Sequence, residues 1–101
     1  LATIGKWGDR INHVHVKDAR ATTIERIVRD GMPVEAIWQE RAFCALGQGD
    51  VPMASILDRL AAMEYEGWVV VEQDIFPGPD DPDAAQADQV ANRELLRRHG
   101  F

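Results

Sequence analysis

The sequence predicts an α/β fold, with parallel strands covered by helices, and three observations carry that prediction. Residues 11–17 alternate between two side-chain classes, as a half-buried strand does. Residues 68–72 are β-branched and apolar on both faces, as in a parallel strand covered on both sides. Between and after them apolar residues recur at helical spacing. Strands alternating with helices in units of about 30 residues imply a parallel sheet with right-handed crossovers.

The first strand places Asn12, Val14 and Val16 on one side and Ile11, His13, His15 and Lys17 on the other. One face is therefore aliphatic and the other ends in ionisable groups. Asp18 ends the strand. Thr22 or Thr23 can cap a short helix carrying Ile24, Ile27 and Val28, with Gly31 as its C-terminal stop. Pro33 suits the first turn of a second helix, whose Val34, Ile37 and Trp38 keep helical spacing to about residue 39. Residues 42–46 read as a second apolar strand running into the tight loop Gly47-Gln48-Gly49-Asp50. Asp50 followed by Pro52 marks the start of a helix with Ile56, Leu57, Leu60 and Met63 on one face, ended by residues 65–67. The third strand, residues 68–72, has an apolar body and an acidic tip at Glu72. Residues 74–83, with Pro77, Gly78, Pro79 and Pro82, are a loop. Asp83 caps a last helix to about Arg98, with Ala87, Val90, Ala91 and Leu95 as its buried stripe and Gly100 beyond its end.

Three such units make a poor stand-alone sheet, because no bulge or proline protects the outer strands. In a (β/α)8 barrel, which takes about 250 residues, they are the C-terminal three βα units. The expected organisation is thus one piece, residues 1–101, holding strands six to eight of a barrel and their helices. Ligand groups in such folds gather at the C-terminal ends of strands. Those ends carry His15, Lys17, Asp18, Glu72 and Asp74.

Composition narrows the function classes. The chain has 101 residues and a net charge of −6, from 11 Lys and Arg against 17 Asp and Glu. With 46% hydrophobic and 28% charged residues it is globular rather than disordered, with a small core. The acidity argues against nucleic acid, whose affinity comes from clustered cations. No segment approaches the roughly 20 apolar residues of a membrane span, and the first residues lack a signal-peptide layout, so no membrane partner is expected. The chain reads as one that begins inside a longer fold. A single cysteine, Cys44, excludes an internal disulfide, and a reducing, cytoplasmic setting is expected. Cys44 reads as an inert buried thiol, Trp7, Trp38 and Trp68 as packing residues with Trp38 walling a pocket, and Arg93, Arg97 and Arg98 as a solvated face.

His13 and His15 point the same way on one strand, with Lys17 continuing the row and Glu72 at the tip of another. An imidazole and a carboxylate converging from strand ends are half of a nitrogen/oxygen site suited to Mn, Mg, Co or Zn. A catalytic cation needs about two further protein groups. The competing reading makes both histidines satisfied interior residues and pairs Glu72 with Lys17. Similarly, the loop at residues 46–50 either offers backbone N–H groups to a phosphate or is a tight turn with a helix cap. Lys17 and Arg20 either grip an oxyanion or are solvated.

Three ordered motifs add a resemblance: His13-Val14-His15-Val16-Lys17-Asp18, then the segment Phe43-Cys44-Ala45-Leu46-Gly47-Gln48-Gly49-Asp50-Val51, then Tyr65-Glu66-Gly67-Trp68-Val69-Val70-Val71-Glu72-Gln73-Asp74. Together they resemble the C-terminal part of the xylose-isomerase-like TIM-barrel superfamily, the sugar phosphate isomerases and epimerases, and within it the inosose dehydratases. The resemblance covers nearly the whole chain. It implies that His15 and Glu72 bind one divalent metal ion and that Glu72 also moves a proton, as in epimerase relatives. It further implies that His13, Lys17 and Arg20 line the substrate side. Where the endonuclease branch of the superfamily has extra histidines, this chain has Phe43 and Cys44, which favours a single ion over a three-zinc DNA-repair site. The glutamate and aspartate that complete the metal site in the superfamily come from earlier strands, which this chain does not contain.

The resulting expectation is part of a divalent-metal-dependent isomerase, epimerase or dehydratase acting on a sugar or polyol through an enediolate, inactive as this chain alone. The alternative is a non-catalytic fragment that pairs with a second copy or with a separate N-terminal half. It is motivated by the two uncovered sheet edges.

Overall fold

The structure, a computed structural model, describes residues 1–76 and 83–101. The expected prolines and glycine at positions 77, 78, 79 and 82 lie outside the described residues. A short helix α1 (Ala2–Trp7) and a 3-10 turn (Gly8–Arg10) lead into β1 (His13–Val16) and β2 (Asp18–Ala19). Helices α2 (Ala21–Arg29) and α3 (Ala36–Gln39), strand β3 (Phe43–Cys44), helix α4 (Met53–Ala62), strand β4 (Trp68–Val71) and helix α5 (Ala84–Arg98) follow. None of the described helices is long and apolar enough to cross a membrane.

β1 and β4 pair in parallel, with His13 opposite Trp68, Val14 opposite Val69, His15 opposite Val70 and Val16 opposite Val71. The ladder continues at both ends, where the Trp68 N–H donates to the Asn12 carbonyl and the Glu72 N–H to the Val16 carbonyl. Because side chains alternate along a strand, Val14, Val16, Val69 and Val71 share one face. They pack with Leu46, Met53, Leu57, Leu95 and Leu96 into the main apolar core, beneath α4 and α5. His13, His15, Trp68 and Val70 share the opposite face, where Trp68 is 73% exposed. The period-2 reading of residues 11–17 therefore holds, while the expectation that residues 68–72 are covered on both faces does not. Among the described residues only the valine face is covered.

The expected third parallel strand is also corrected. Phe43–Cys44 pairs antiparallel with Asp18–Ala19, and the described residues form one parallel pair plus this short ladder, with no closed barrel. The cause is local. The Arg20 N–H donates to the Ala42 carbonyl and the Asp50 N–H to the Ala19 carbonyl, which folds residues 42–50 back over the end of β1. A second small core, Ile27, Ala36 and Ala42 with Ile24, Met32 and Ile37, ties α2 and α3 beneath this excursion.

Helix boundaries follow the sequence closely, but their caps do not. The α2 N-terminus is capped by the Asp50 carboxylate, which accepts the Ala21 N–H at 2.7 Å, rather than by Thr22 or Thr23. Gly31 stops α2 in the left-handed region, at φ +61°. Val28 was expected on the buried stripe of α2 and is 74% exposed. In α5 the buried positions are Ala84, Asn92 and Leu96 instead of Ala87 and Val90. The helix is thus rotated by about one residue from its apolar pattern, so that Asn92 can serve a buried polar network.

Candidate functional site

Parallel pairing brings the C-terminal tips of β1 and β4 side by side, and the residues just past them converge. His15 Nδ1 meets Glu72 Oε2 at 3.0 Å. Lys17 Nζ donates to Glu72 Oε1 at 2.9 Å and to Asp74 Oδ2 at 2.6 Å. Side chains two apart on an extended chain face the same way, so His15 and Lys17 from one strand meet Glu72 and Asp74 from the other. The cluster is half open to solvent, with side-chain exposures of 53% for His15 and 45% for Glu72, while Lys17 is more sheltered at 27%. The Phe43 ring lies under the ammonium, 4.2 Å from its centroid, in a cation–π contact.

The charges reinforce one another. The hydrogen bond from Lys17, and then the contact with His15, hold the Glu72 carboxyl below its ordinary range. The Lys17 ammonium is held above its ordinary value chiefly by its hydrogen bond to Asp74; partial burial opposes this, and Glu72 adds to it. Glu72 is thus an ionised base and Lys17 a fixed cation at neutral pH.

The five expected site residues separate into groups. His15, Lys17 and Glu72 meet directly. His13 adjoins them through its ring, 5.1 Å from that of His15, and both histidines lie on the exposed face rather than in the interior. Arg20 turns away, donating through Nη1 to the Arg41 carbonyl at 2.8 Å and through Nη2 to Gln48 Oε1 at 3.5 Å. Asp74 joins the cluster as its second carboxylate. Its position two after Glu72 was the sequence signal for it.

Asp18, placed by the sequence among the strand-end ligand groups, points the other way and is fully buried. Its carboxylate accepts the backbone N–H groups of Ala19, Gly47, Gly49 and Val51, at 2.9, 2.7, 3.1 and 3.2 Å. The N–H groups that could have cradled a phosphate are therefore committed within the chain, those of Gly47 and Gly49 to the Asp18 carboxylate, that of Leu46 to Asn92, and those of Gln48 and Asp50 to the Ala45 and Ala19 carbonyls, and the loop is a structural turn. Gly47 adopts φ +83°. At Gly49 a Cβ would collide with the Asp18 carboxylate and the Ala19 carbonyl. Cys44 is buried, and burial pushes its thiol pKa up, so it is inert at neutral pH.

Behind the tips a second network fixes β4 to α5. Gln73 donates to Asp88 at 2.6 Å, Asn92 donates to Gln73 at 3.2 Å, and the Leu46 N–H donates to Asn92 at 2.7 Å. Arg41 adds a 2.8 Å ion pair to Asp88. Gln73 thus anchors the segment from which Glu72 and Asp74 project to the other side.

The donor set suits a divalent cation in part. A nitrogen and an oxygen 3.0 Å apart match two adjacent ligands of one ion, each roughly 2.0–2.2 Å from it. Among the described residues no group of three or more His, Cys, Asp or Glu is arranged to hold a metal. Among the described residues His15 and Glu72 form one such adjacent pair, and a complete catalytic site takes more donors than two.

Residues 2–98 match the family described as xylose isomerase-like TIM barrel. The chain is 33% identical over 99 residues to the inosose dehydratase of Lactiplantibacillus plantarum, covering 98% of this chain and 32% of the relative. It is 33% identical over 93 residues to that of Bacillus licheniformis, covering 90% and 29%, and 33% identical over 82 residues to that of Clostridium beijerinckii, covering 81% and 28%. The chain spans about a third of the length of these curated relatives.

Proposed function

The chain belongs to the xylose isomerase-like TIM-barrel family, and from that premise we propose that it is the part of a barrel enzyme carrying two metal ligands and the proton-transferring carboxylate. The reaction is the dehydration, isomerisation or epimerisation of a polyol or sugar ketone through an enediolate. Relatives named inosose dehydratase favour dehydration of a cyclic ketone. The observation that carries the reading is the meeting of His15, Lys17 and Glu72 at paired strand tips.

His15 and Glu72 would hold a divalent ion, Mn, Co, Mg or Zn, with further donors from outside this chain. When bound, the ion supplies electrostatic stabilisation of the negative charge that develops on the ketone oxygen. The carbon acid beside a ketone is too weak to ionise without such stabilisation. Glu72, kept ionised by Lys17, takes the proton from that carbon, and the C–H electron pair becomes the C=C bond of the enediolate. The proton is then passed, with a second carboxylate from outside this chain, to the neighbouring carbon in an isomerase or delivered to the opposite face of the same carbon in an epimerase, or leaves with a hydroxyl as water in a lyase. Lys17 stays protonated throughout, held between Glu72 and Asp74, and offsets their charge. His13, beside His15, lines the substrate side in this reading, whereas Arg20, engaged by the Arg41 carbonyl and Gln48, does not take the substrate role expected of it.

The test uses a complete barrel containing this chain, assayed for Mn-dependent loss of water from an inosose and for ketose epimerisation. Activity in one assay that drops by about two to four orders of magnitude in Glu72→Gln is the expected result. Activity in neither overturns the enediolate reading.

A second reading has its own observation. The face formed by His13, His15, Trp68 and Val70 is uncovered among the described residues, with Trp68 73% exposed. This favours association with a second copy or a separate N-terminal half of the barrel. Sedimentation of the chain distinguishes the two, since a stable monomer excludes self-pairing.

A further inference from the structure

The Phe43 ring sits against the Lys17 ammonium, 4.2 Å from ring centroid to nitrogen, and belongs to neither apolar core. We propose that Phe43 is a positioning residue, whose ring holds the Lys17 ammonium between Glu72 and Asp74 so that one fixed cation serves both carboxylates. The proposal rests on the reading of this cluster as a proton-transfer site, to which it adds a residue.

The contact follows from the fold-back that takes the place of the expected parallel strand. In the antiparallel ladder Ala19 stands opposite Phe43 and Asp18 opposite Cys44. Neighbouring residues on a strand face opposite sides. The register that buries Asp18 and Cys44 therefore sends Ala19 and Phe43 to the other side, where both are half-buried. Lys17 lies two residues before Ala19, between β1 and β2. That makes it the diagonal neighbour of Phe43, a separation that a long side chain and an aromatic ring span.

The ring supplies shelter and direction. A lysine stem is flexible, and ion pairs between half-exposed groups fix such a side chain weakly. Glu72 and Asp74 are 45% and 47% exposed, whereas Lys17 is 27% exposed. The negative face of an aromatic ring attracts a cation without offering it a strong hydrogen-bond acceptor. The ammonium N–H groups thus stay directed at the carboxylates, at 2.9 Å for Glu72 and 2.6 Å for Asp74. An aliphatic side chain of similar size at position 43 would cover the lysine stem and exert no pull on its charge.

The test is the Lys17 ammonium signal in NMR spectra of the 101-residue chain labelled with nitrogen-15 and carbon-13. Two features report the geometry. One is the ring-current displacement of the Lys17 ε-methylene protons, and the other is the coupling from Nζ across its hydrogen bonds to the carboxylate carbons of Glu72 and Asp74. The expected result is loss of both features in Phe43→Leu and retention of both in Phe43→Tyr, with the Overhauser contacts between Asp18 and Cys44 unchanged in each variant. A packing role would be met by leucine and would leave the couplings in place. Couplings that survive Phe43→Leu, that vanish equally in Phe43→Tyr, or that are absent from the unsubstituted chain would overturn the proposal. So would loss of the Asp18 to Cys44 contacts in Phe43→Leu, which would make the ring a structural part of the β2–β3 ladder. Neither metal nor turnover enters this measurement, so the positioning role can fail while the enediolate reading stands, and the reverse.

Discussion

Two carboxylates, Glu72 and Asp18, show how the same group serves opposite ends according to its neighbours. Glu72 is half exposed and meets Lys17 and His15, which lower its pKa. Its contribution to stability is therefore present above the ordinary glutamate value, about pH 4.3, and fades as pH falls through its depressed folded value. Lys17 has the opposite sign. Its raised pKa gives a contribution that is complete below about pH 10.4 and is lost as pH rises through its folded value. The cluster is thus intact across the neutral range, and Lys17→Met should raise the Glu72 carboxyl pKa in an NMR titration; an unchanged midpoint would contradict the assigned cause. Asp18 is buried and accepts four backbone N–H groups. Asp18→Asn turns an N–H2 group toward donors, and urea unfolding should register a loss of about 2–4 kcal/mol. The site was legible as His-x-His-x-Lys facing a strand-end glutamate because period 2 fixes which side chains share a face. Asp18 was not legible, because its burial depends on N–H groups about thirty residues away in the chain.

At the scale of elements, apolar patterning located the helices, and what it missed were the polar contacts that orient them. Residues 42–46 are a short apolar run that periodicity cannot assign to a parallel strand or a connector. The hydrogen bonds from Arg20 to Ala42 and from Asp50 to Ala19 decided for an antiparallel fold-back. In α5 the sequence pointed to Ala87 and Val90 as buried, yet Val90 is 63% exposed because Asn92, a polar residue, faces inward to meet Leu46 and Gln73. α4 behaved as its pattern said, with Met53, Leu57 and Leu60 buried. Leu57→Ala, at a fully buried position in the main core, should lower stability by about 2–5 kcal/mol in urea unfolding. Val28→Thr on α2, 74% exposed, should change it by less than about 0.5 kcal/mol. Equal effects of the two would contradict the placement of the core.

Among the described residues, one covered and one uncovered face of the β1–β4 pair is the defining feature of the molecule, and the sequence left it hidden because Trp68 and Val70 are apolar whether buried or not. This face carries His13 and His15 beside Trp68. Trp68→Thr should therefore reduce any self-association seen by sedimentation without moving the Glu72 titration; a change in both would tie the exposed face to the fold of the cluster itself. The proposed role of His15 and Glu72, brought together by parallel pairing, is to be ligands of one divalent ion. Two donors hold a cation weakly, so the direct measurement is selective line broadening by Mn²⁺ in the NMR spectrum of this chain. The expected result is broadening centred on residues 15–17 and 72–74, lost in His15→Ala and in Glu72→Gln. Broadening centred elsewhere, or unchanged in both variants, would contradict it.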